Sequence, residues 1–343
     1  MPKKNLKALT KNDVHHFFRK KGLPPYRERQ LLHWIYEKNA QSIDDITEFS
    51  KELRNSIKKD AYLSVLHLLK RQVSHDGTEK YLFALEDENT IEAVMIPEHH
   101  RRTLCISSQV GCAMGCRFCL TAQRGFTRNL KAYEIVDQIL AVNRLIDPAT
   151  ITNIVFMGMG EPLANMNEVI PAIQRIVEIL NISKRKITLS TAGITPLIMP
   201  FARKSHPVNF AFSLNATTDE IRNRIMPINK KYPFKTVLDV LKKYPLESRR
   251  KLTIEYVLIR DVNDRAEDAQ RLVDLLNGIR CKVNIIPLNP YDGLTMKRPS
   301  EIKTLAFQHL LTRSRMRAFI RDSRGKDILA ACGQLRATTQ KID

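Results

Sequence analysis

Three cysteines, Cys112, Cys116 and Cys119, stand in the eight-residue run Cys-Ala-Met-Gly-Cys-Arg-Phe-Cys with the spacing C-x3-C-x2-C. So short a loop can place thiolates at three corners of a 4Fe-4S cubane and leave the fourth iron without a protein ligand. An iron with an open position can bind a cofactor or a substrate. The competing readings are unliganded thiols and a structural zinc site, which wants a closed set of four ligands; no fourth ligand stands nearby in the sequence. Phe118, inside the loop, can shield such a cluster.

Cys105, Cys281 and Cys332 complete the six cysteines. No stretch approaches the ~20 apolar residues of a membrane span, and the first residues contain no uninterrupted apolar run of an export signal. A reducing cytoplasm is therefore expected, with the thiols free unless metal or chemistry claims them. Cys281, between Arg280 and Lys282, reads as a small apolar residue. Alternation with Leu104 and Ile106 turns the Cys105 sulfur to the same strand face as Ser107. Cys332 lies in the small-residue run Ala-Ala-Cys-Gly, which suits a mobile loop.

Strand-like runs at 104–108, 153–157, 186–190, 208–214, 252–259 and 282–286 alternate with segments of helical length, and 317–321 reads as a last strand. That pattern predicts repeated βα units around a parallel sheet. Val208, Phe210, Phe212 and Leu214 alternate with Asn209, Ala211 and Ser213, and Leu252, Ile254, Tyr256 and Leu258 with Thr253 and Glu255. One face is thus small and largely polar, whereas strands buried on both faces read as continuous apolar runs. The expected fold is α/β: an open, partial β/α barrel with a wet lumen, a flat doubly wound sheet being the alternative. Residues 1–73 read as a small helical unit, with Thr10 and Ser50 as N-caps and a helix over about 26–37, and residues 74–100 as a β-hairpin connector turning at Asp87-Glu88-Asn89. The core occupies 101–335.

Barrels of this kind carry their chemistry where the strands end. There the chain places the cysteine loop, the turn Gly158-Met-Gly-Glu-Pro162, Ser190, the run Ser213-Leu214-Asn215, and Asn289. Two glycines after a strand occur in many tight turns, and the third glycine of a dinucleotide fingerprint is missing. Ser190 alone reads as a strand-end cap, and Glu92, on the hairpin's second strand, as an exposed glutamate. Lys and Arg number 56 against 36 Asp and Glu, a net charge of +20 that favours a nucleic-acid partner. Part of that charge clusters at Arg313, Arg315, Arg317, Arg321, Arg324 and Lys326.

The cysteine loop resembles the signature of radical S-adenosylmethionine (SAM) enzymes, in which SAM chelates the open iron. The flanking runs Ser-Ser-Gln-Val-Gly-Cys at 107–112 and Thr-Ala-Gln-Arg-Gly-Phe-Thr-Arg-Asn-Leu at 121–130, with Met-Pro-Ile-Asn-Lys-Lys-Tyr at 226–232 and Ala-Cys-Gly-Gln-Leu at 331–335, are similar to the RNA adenine carbon-2 methyltransferases (RlmN), sister to the carbon-8 enzymes (Cfr). The likeness runs through most of the chain. It implies a 4Fe-4S cluster on Cys112, Cys116 and Cys119, and SAM, two per turnover, held by Gly160, Glu161, Ser190, Ser213, Leu214, Asn215 and Asn289. Where this chain has Asn215 the family often has His.

The same resemblance implies that Cys332 carries the methyl group, that Cys105 resolves it through a transient disulfide, and that Glu92 is the general base. It implies 23S ribosomal RNA and some tRNAs as substrates and an electron donor as partner. Carbon-8 methylation, sulfur insertion into RNA and a non-catalytic iron-sulfur or zinc RNA-binding module remain as rival readings.

Overall fold

The computed structural model describes residues 2–336. Helix α1 (Lys11–Lys20) begins where the Thr10 hydroxyl accepts the Asp13 N–H and the Asp13 carboxylate accepts that of Thr10. This reciprocal cap satisfies two donors that a helix start leaves free. α1 buries Val14, Phe17 and Phe18, at the spacing of one helix face. α2 (Tyr26–Tyr36) buries Leu31 and Ile35, and α3 (Lys51–Asp60) is capped by Ser50, whose hydroxyl accepts the Leu53 N–H.

Ten strands form one sheet: β1 (His67–Val73), β2 (Glu79–Ala84), β3 (Thr90–Glu98), β4 (Arg101–Cys105), β5 (Asn153–Phe156), β6 (Ile187–Thr191), β7 (Asn209–Ser213), β8 (Leu252–Leu258), β9 (Cys281–Pro287) and β10 (Ala318–Ile320). Their order in space is their order in the chain. β1 to β4 pair antiparallel, and β4 to β10 pair parallel. The crossovers contain α4 (Ala132–Ile146), α5 (Met166–Glu178), α6 (Thr195–Lys204), α7 (Asp219–Ile225) with α8 (Phe234–Lys242), α9 (Ala266–Leu276) and α10 (Glu301–Arg313). Every crossover steps in one direction, so right-handed connections put all the helices on one face and the sheet curls around the other. A doubly wound sheet would reverse at a switch point, and none exists here. With β1 and β10 both at edges, the barrel is open.

The alternation reads as expected. On β6, Ile187 and Leu189 are fully buried beneath the helices while Thr188 and Ser190 face the lumen half-buried. The N-terminal helices share one continuous hydrophobic core with the barrel. A buried ion pair between Lys7 Nζ and Asp137 on α4 (2.9 Å), and Arg175 on α5 donating to the Lys7 and Leu9 carbonyls, lock them to the barrel's back.

Two boundaries differ from expectation. Residues 67–73 are a strand, not part of the helical unit, and the hairpin continues the barrel sheet instead of standing apart as a connector. β1 is exposed along nearly all its length, so it carries no buried face for a period-two pattern to record. The first parallel strand spans Arg101–Cys105 rather than 104–108. After Ile106 the chain leaves the sheet, and the Gln138 side chain binds both the N–H (2.8 Å) and the carbonyl (2.9 Å) of Ser107.

Candidate active site

A cavity opens at the C-terminal ends of the parallel strands, and Cys112, Cys116 and Cys119 line one side of it. Their loop is fastened by the Cys112 N–H to the Gly125 carbonyl (2.7 Å) and the Arg117 N–H to the Ile225 carbonyl at the end of α7 (2.9 Å). Gly111 has φ +74°, and a Cβ there would collide with the Gly125 carbonyl. Burial above all, with the charge of neighbouring cysteines, pushes the Cys112 thiol up to about 12 and that of Cys116 well above its usual value. Buried thiols that repel one another when ionised match a cationic centre, which holds its ligands as thiolates. Among the described residues no three His, Cys, Asp or Glu side chains converge as ligands of a single ion. A cubane takes each thiolate at a separate corner, so the donor set fits a cluster.

The turn after β5 forms the adjoining wall. Gly158 and Gly160 both line the cavity, yet their lack of a side chain is demanded from behind. A Cβ on Gly158 would lie 2.7 Å from the Ile106 carbonyl, and one on Gly160, at φ +100°, 2.5 Å from the Gln109 Cβ. Glu161 is buried, with Oε1 accepting the Leu163 N–H (3.0 Å) and Oε2 the Ala192 N–H (2.7 Å). Burial raises its pKa and these bonds oppose the rise.

Ser190 and Ser213 line the floor with their hydroxyls 3.3 Å apart. Asn215 borders the cavity at φ +58°, but its side chain is engaged: Oδ1 accepts the Val257 N–H (2.8 Å). It is a strand-end clasp in a conformation Asn tolerates better than most residues. Leu214 has its side chain fully buried in the core, its N–H donating to the Glu255 carbonyl and its carbonyl accepting Arg222 Nε. Asn289 lines the cavity and donates to the Cys332 carbonyl (3.2 Å).

Two residues here carried no motif. Arg222 on α7 is fully buried, with its guanidinium donating to the carbonyls of Leu214, Ala192 and Ser213 and to Asn229 Oδ1. It braces Ala192, whose N–H holds Glu161. Glu255 on β8 lies in the cavity floor beside Ser213, placed there by the strand alternation.

Cys332 reaches the same cavity from the C-terminal segment. It is exposed at the cavity mouth, while the surrounding protein pushes its thiol up to about 11. Cys105 is buried at the end of β4, and its thiol is raised by burial and then by the charge of Cys332, which places the two sulfurs within electrostatic reach. Glu92 is buried on β3, not exposed. It pairs with buried Lys80 (Nζ to Oε1, 3.5 Å) and accepts the Arg336 N–H, so it faces the segment carrying Cys332. Burial raises its pKa, opposed by Lys80.

The basic run at 313–326 does not form one patch. Arg317 precedes β10 and opens on a cavity at the opposite mouth of the barrel with Arg249, Lys251 and Lys282, whereas Arg321 follows β10 on the active-site side. No helix among the described residues is long and apolar enough to cross a membrane.

Comparison with known proteins agrees with this architecture. Residues 106–276 match the Radical SAM superfamily, and residues 4–63 match the ribosomal RNA large subunit methyltransferase N-terminal domain. The dual-specificity RNA methyltransferase RlmN of Geobacter sulfurreducens is 48% identical over 97% of this chain and 92% of its own length. That of Geotalea uraniireducens is 46% identical over 99% of both. A crystal structure of a radical SAM methyltransferase from Sphaerobacter thermophilus superposes with a TM-score of 0.93 at 40% identity, covering 98% of this chain and all of the other. With likeness in sequence and fold extending from the N-terminal helices to the Cys332 segment, the chain belongs to the RlmN family of radical SAM RNA methyltransferases.

Proposed function

We propose that this protein methylates carbon 2 of an adenosine in 23S ribosomal RNA, and of an adenosine in tRNA, in the cytoplasm, with Cys332 as methyl carrier and two SAM molecules per turnover. Cys112, Cys116 and Cys119 hold the 4Fe-4S cluster, with Gly160, Glu161, Ser190, Ser213, Leu214, Asn215 and Asn289 around SAM. When bound, the cluster and SAM supply the one-electron chemistry that an unreactive aromatic carbon requires. The observation that carries the reading is the convergence of Cys332 on the cavity of the cysteine triplet, with Cys105 within electrostatic reach.

Cys332 accepts a methyl group from SAM; the one-electron chemistry that the cluster and a second SAM would supply takes one hydrogen atom from that methyl, and its carbon bonds to the adenine. Glu92 takes the ring proton of the adduct as one electron leaves. The Cys105 thiolate attacks the Cys332 sulfur, the sulfur–carbon bond breaks and the released carbon takes a proton to become methyl, leaving a disulfide that an external reductant reopens. The target base leaves its stack to reach the barrel mouth, and backbone contacts from the N-terminal helices and exposed basic residues position it.

The test is nucleoside mass spectrometry of unmodified 23S ribosomal RNA treated with reconstituted enzyme, SAM and reductant, beside Cys332→Ala. Carbon-2-methyladenosine that vanishes in the variant supports the proposal; carbon-8-methyladenosine assigns the protein to the sister activity.

A further inference from the structure

The first step of this scheme leaves a proton without a destination. Cys332 must lose its thiol proton as it gains the methyl group, and neither Glu92 nor Cys105 lines the cavity in which Cys332 meets the triplet. Glu255 does. It sits on β8, in register with Ser213 of β7 and Asn284 of β9, and so points to the lumen between two polar neighbours. Asn284 Nδ2 donates to its Oε1 (3.0 Å), and among the described residues its Oε2 accepts no hydrogen bond. The charged groups facing it are Lys282 of β9 and Arg321 after β10, and Arg321 also acts on Cys332.

Resting on the reading of Cys332 as methyl carrier, we propose that Glu255 is the general base for its methylation, taking the Cys332 Sγ proton onto Oε2 as the sulfur attacks SAM. One S–H bond breaks and one O–H bond forms; the new S–CH3 bond replaces the sulfonium–CH3 bond, and S-adenosylhomocysteine leaves. No oxidant or reductant is consumed. Burial brings the carboxyl to about 7, so near neutral pH it is partly ionised and well matched to proton transfer. Glu255 and Cys332 line the same cavity, and the carboxylate's charge also raises the Cys332 thiol.

The test follows methylation of Cys332 itself in reconstituted holoenzyme without RNA, by peptide mass spectrometry in single turnover from pH 6 to 10. The wild type is expected to rise to a plateau above a midpoint near 7. Glu255→Gln is expected to be roughly a hundredfold slower at neutral pH, as loss of a general base implies, and to climb with pH without that plateau. Glu255→Asp recovers part of the rate. SAM affinity measured by equilibrium dialysis changes less than threefold in Glu255→Gln, which separates proton transfer from cofactor binding. A Glu255→Gln enzyme with the wild-type rate and pH profile, or one slowed only in proportion to lost SAM affinity, overturns the assignment. A wild type that never gains a methyl on Cys332 instead overturns the carrier reading, and this inference with it.

Discussion

The two cysteine-bearing segments that meet at the cavity are built in opposite ways. The triplet loop is anchored close to home: Cys112 to Gly125, Cys119 to Cys116, with Gly111 locked in a conformation few other residues adopt, and α7 as its one distant support. The Cys332 segment is held by scattered single bonds. Asn289 reaches the Cys332 carbonyl, Gln334 the Pro290 carbonyl, the Leu120 N–H the Gly333 carbonyl, the Thr121 hydroxyl the Leu335 carbonyl, and Lys80 the Leu329 carbonyl. Each such bond contributes about 1 kcal/mol, and none depends on the others' strained geometry. In the proposed roles, cluster ligands must stay fixed, whereas a methyl carrier has to face cofactor, RNA and resolving thiol in turn. The difference teaches that rigidity here is distributed by task.

Removing one cysteine from each segment is the strongest way to break this comparison. Cys116→Ala is expected to abolish both iron incorporation and RNA methylation, while Cys332→Ala abolishes methylation at full iron loading; iron content and nucleoside analysis read both. If Cys332→Ala also lost its iron, the segments would not be separable.

Glycine substitutions sharpen it next. Gly160→Ala forces a Cβ into the Gln109 side chain at a positive φ and is expected to cost about 3 kcal/mol. Gly333→Ala, at φ +84° with only the Phe118 carbonyl 3.2 Å away, is expected to cost about 1 kcal/mol. Chemical denaturation compares them.

Beneath the Cys332 segment, burial lifts the Glu255 carboxyl from 4.5 to about 7. Between those values the folded protein keeps a proton that the unfolded chain has released, so this group's contribution to stability falls as pH rises through that window. Glu255→Gln should flatten that part of the stability-pH profile, an effect of about 3 kcal/mol.

The smallest effect belongs to Asn289→Ala. Losing one bond of about 1 kcal/mol, it should speed amide exchange about fivefold around Cys332 and leave 112–119 unchanged.

What could be read before the fold was known follows the same division. The triplet spacing is a local code, and strand alternation exposed the polar lumen, Glu255 included. Arg222 was invisible because its value lies in carbonyls brought together by two different strand ends. β1 escaped because neither of its faces is buried, and the early exit after Ile106 because a side chain, Gln138, replaces a strand as partner.

The sequential order of the strands also bears on how the molecule comes into being. Each of the ten pairs with its neighbour in the chain, so the sheet can grow strand by strand as the polypeptide emerges from the ribosome at about 5–20 residues per second. The last contacts are of another kind. Gly325 binds Asp76 across 249 residues, and Asp327 accepts from Ser74. The hairpin made early in synthesis is therefore covered only once residues 325–336 have been added, and Glu92 gains its bond from the Arg336 N–H only then.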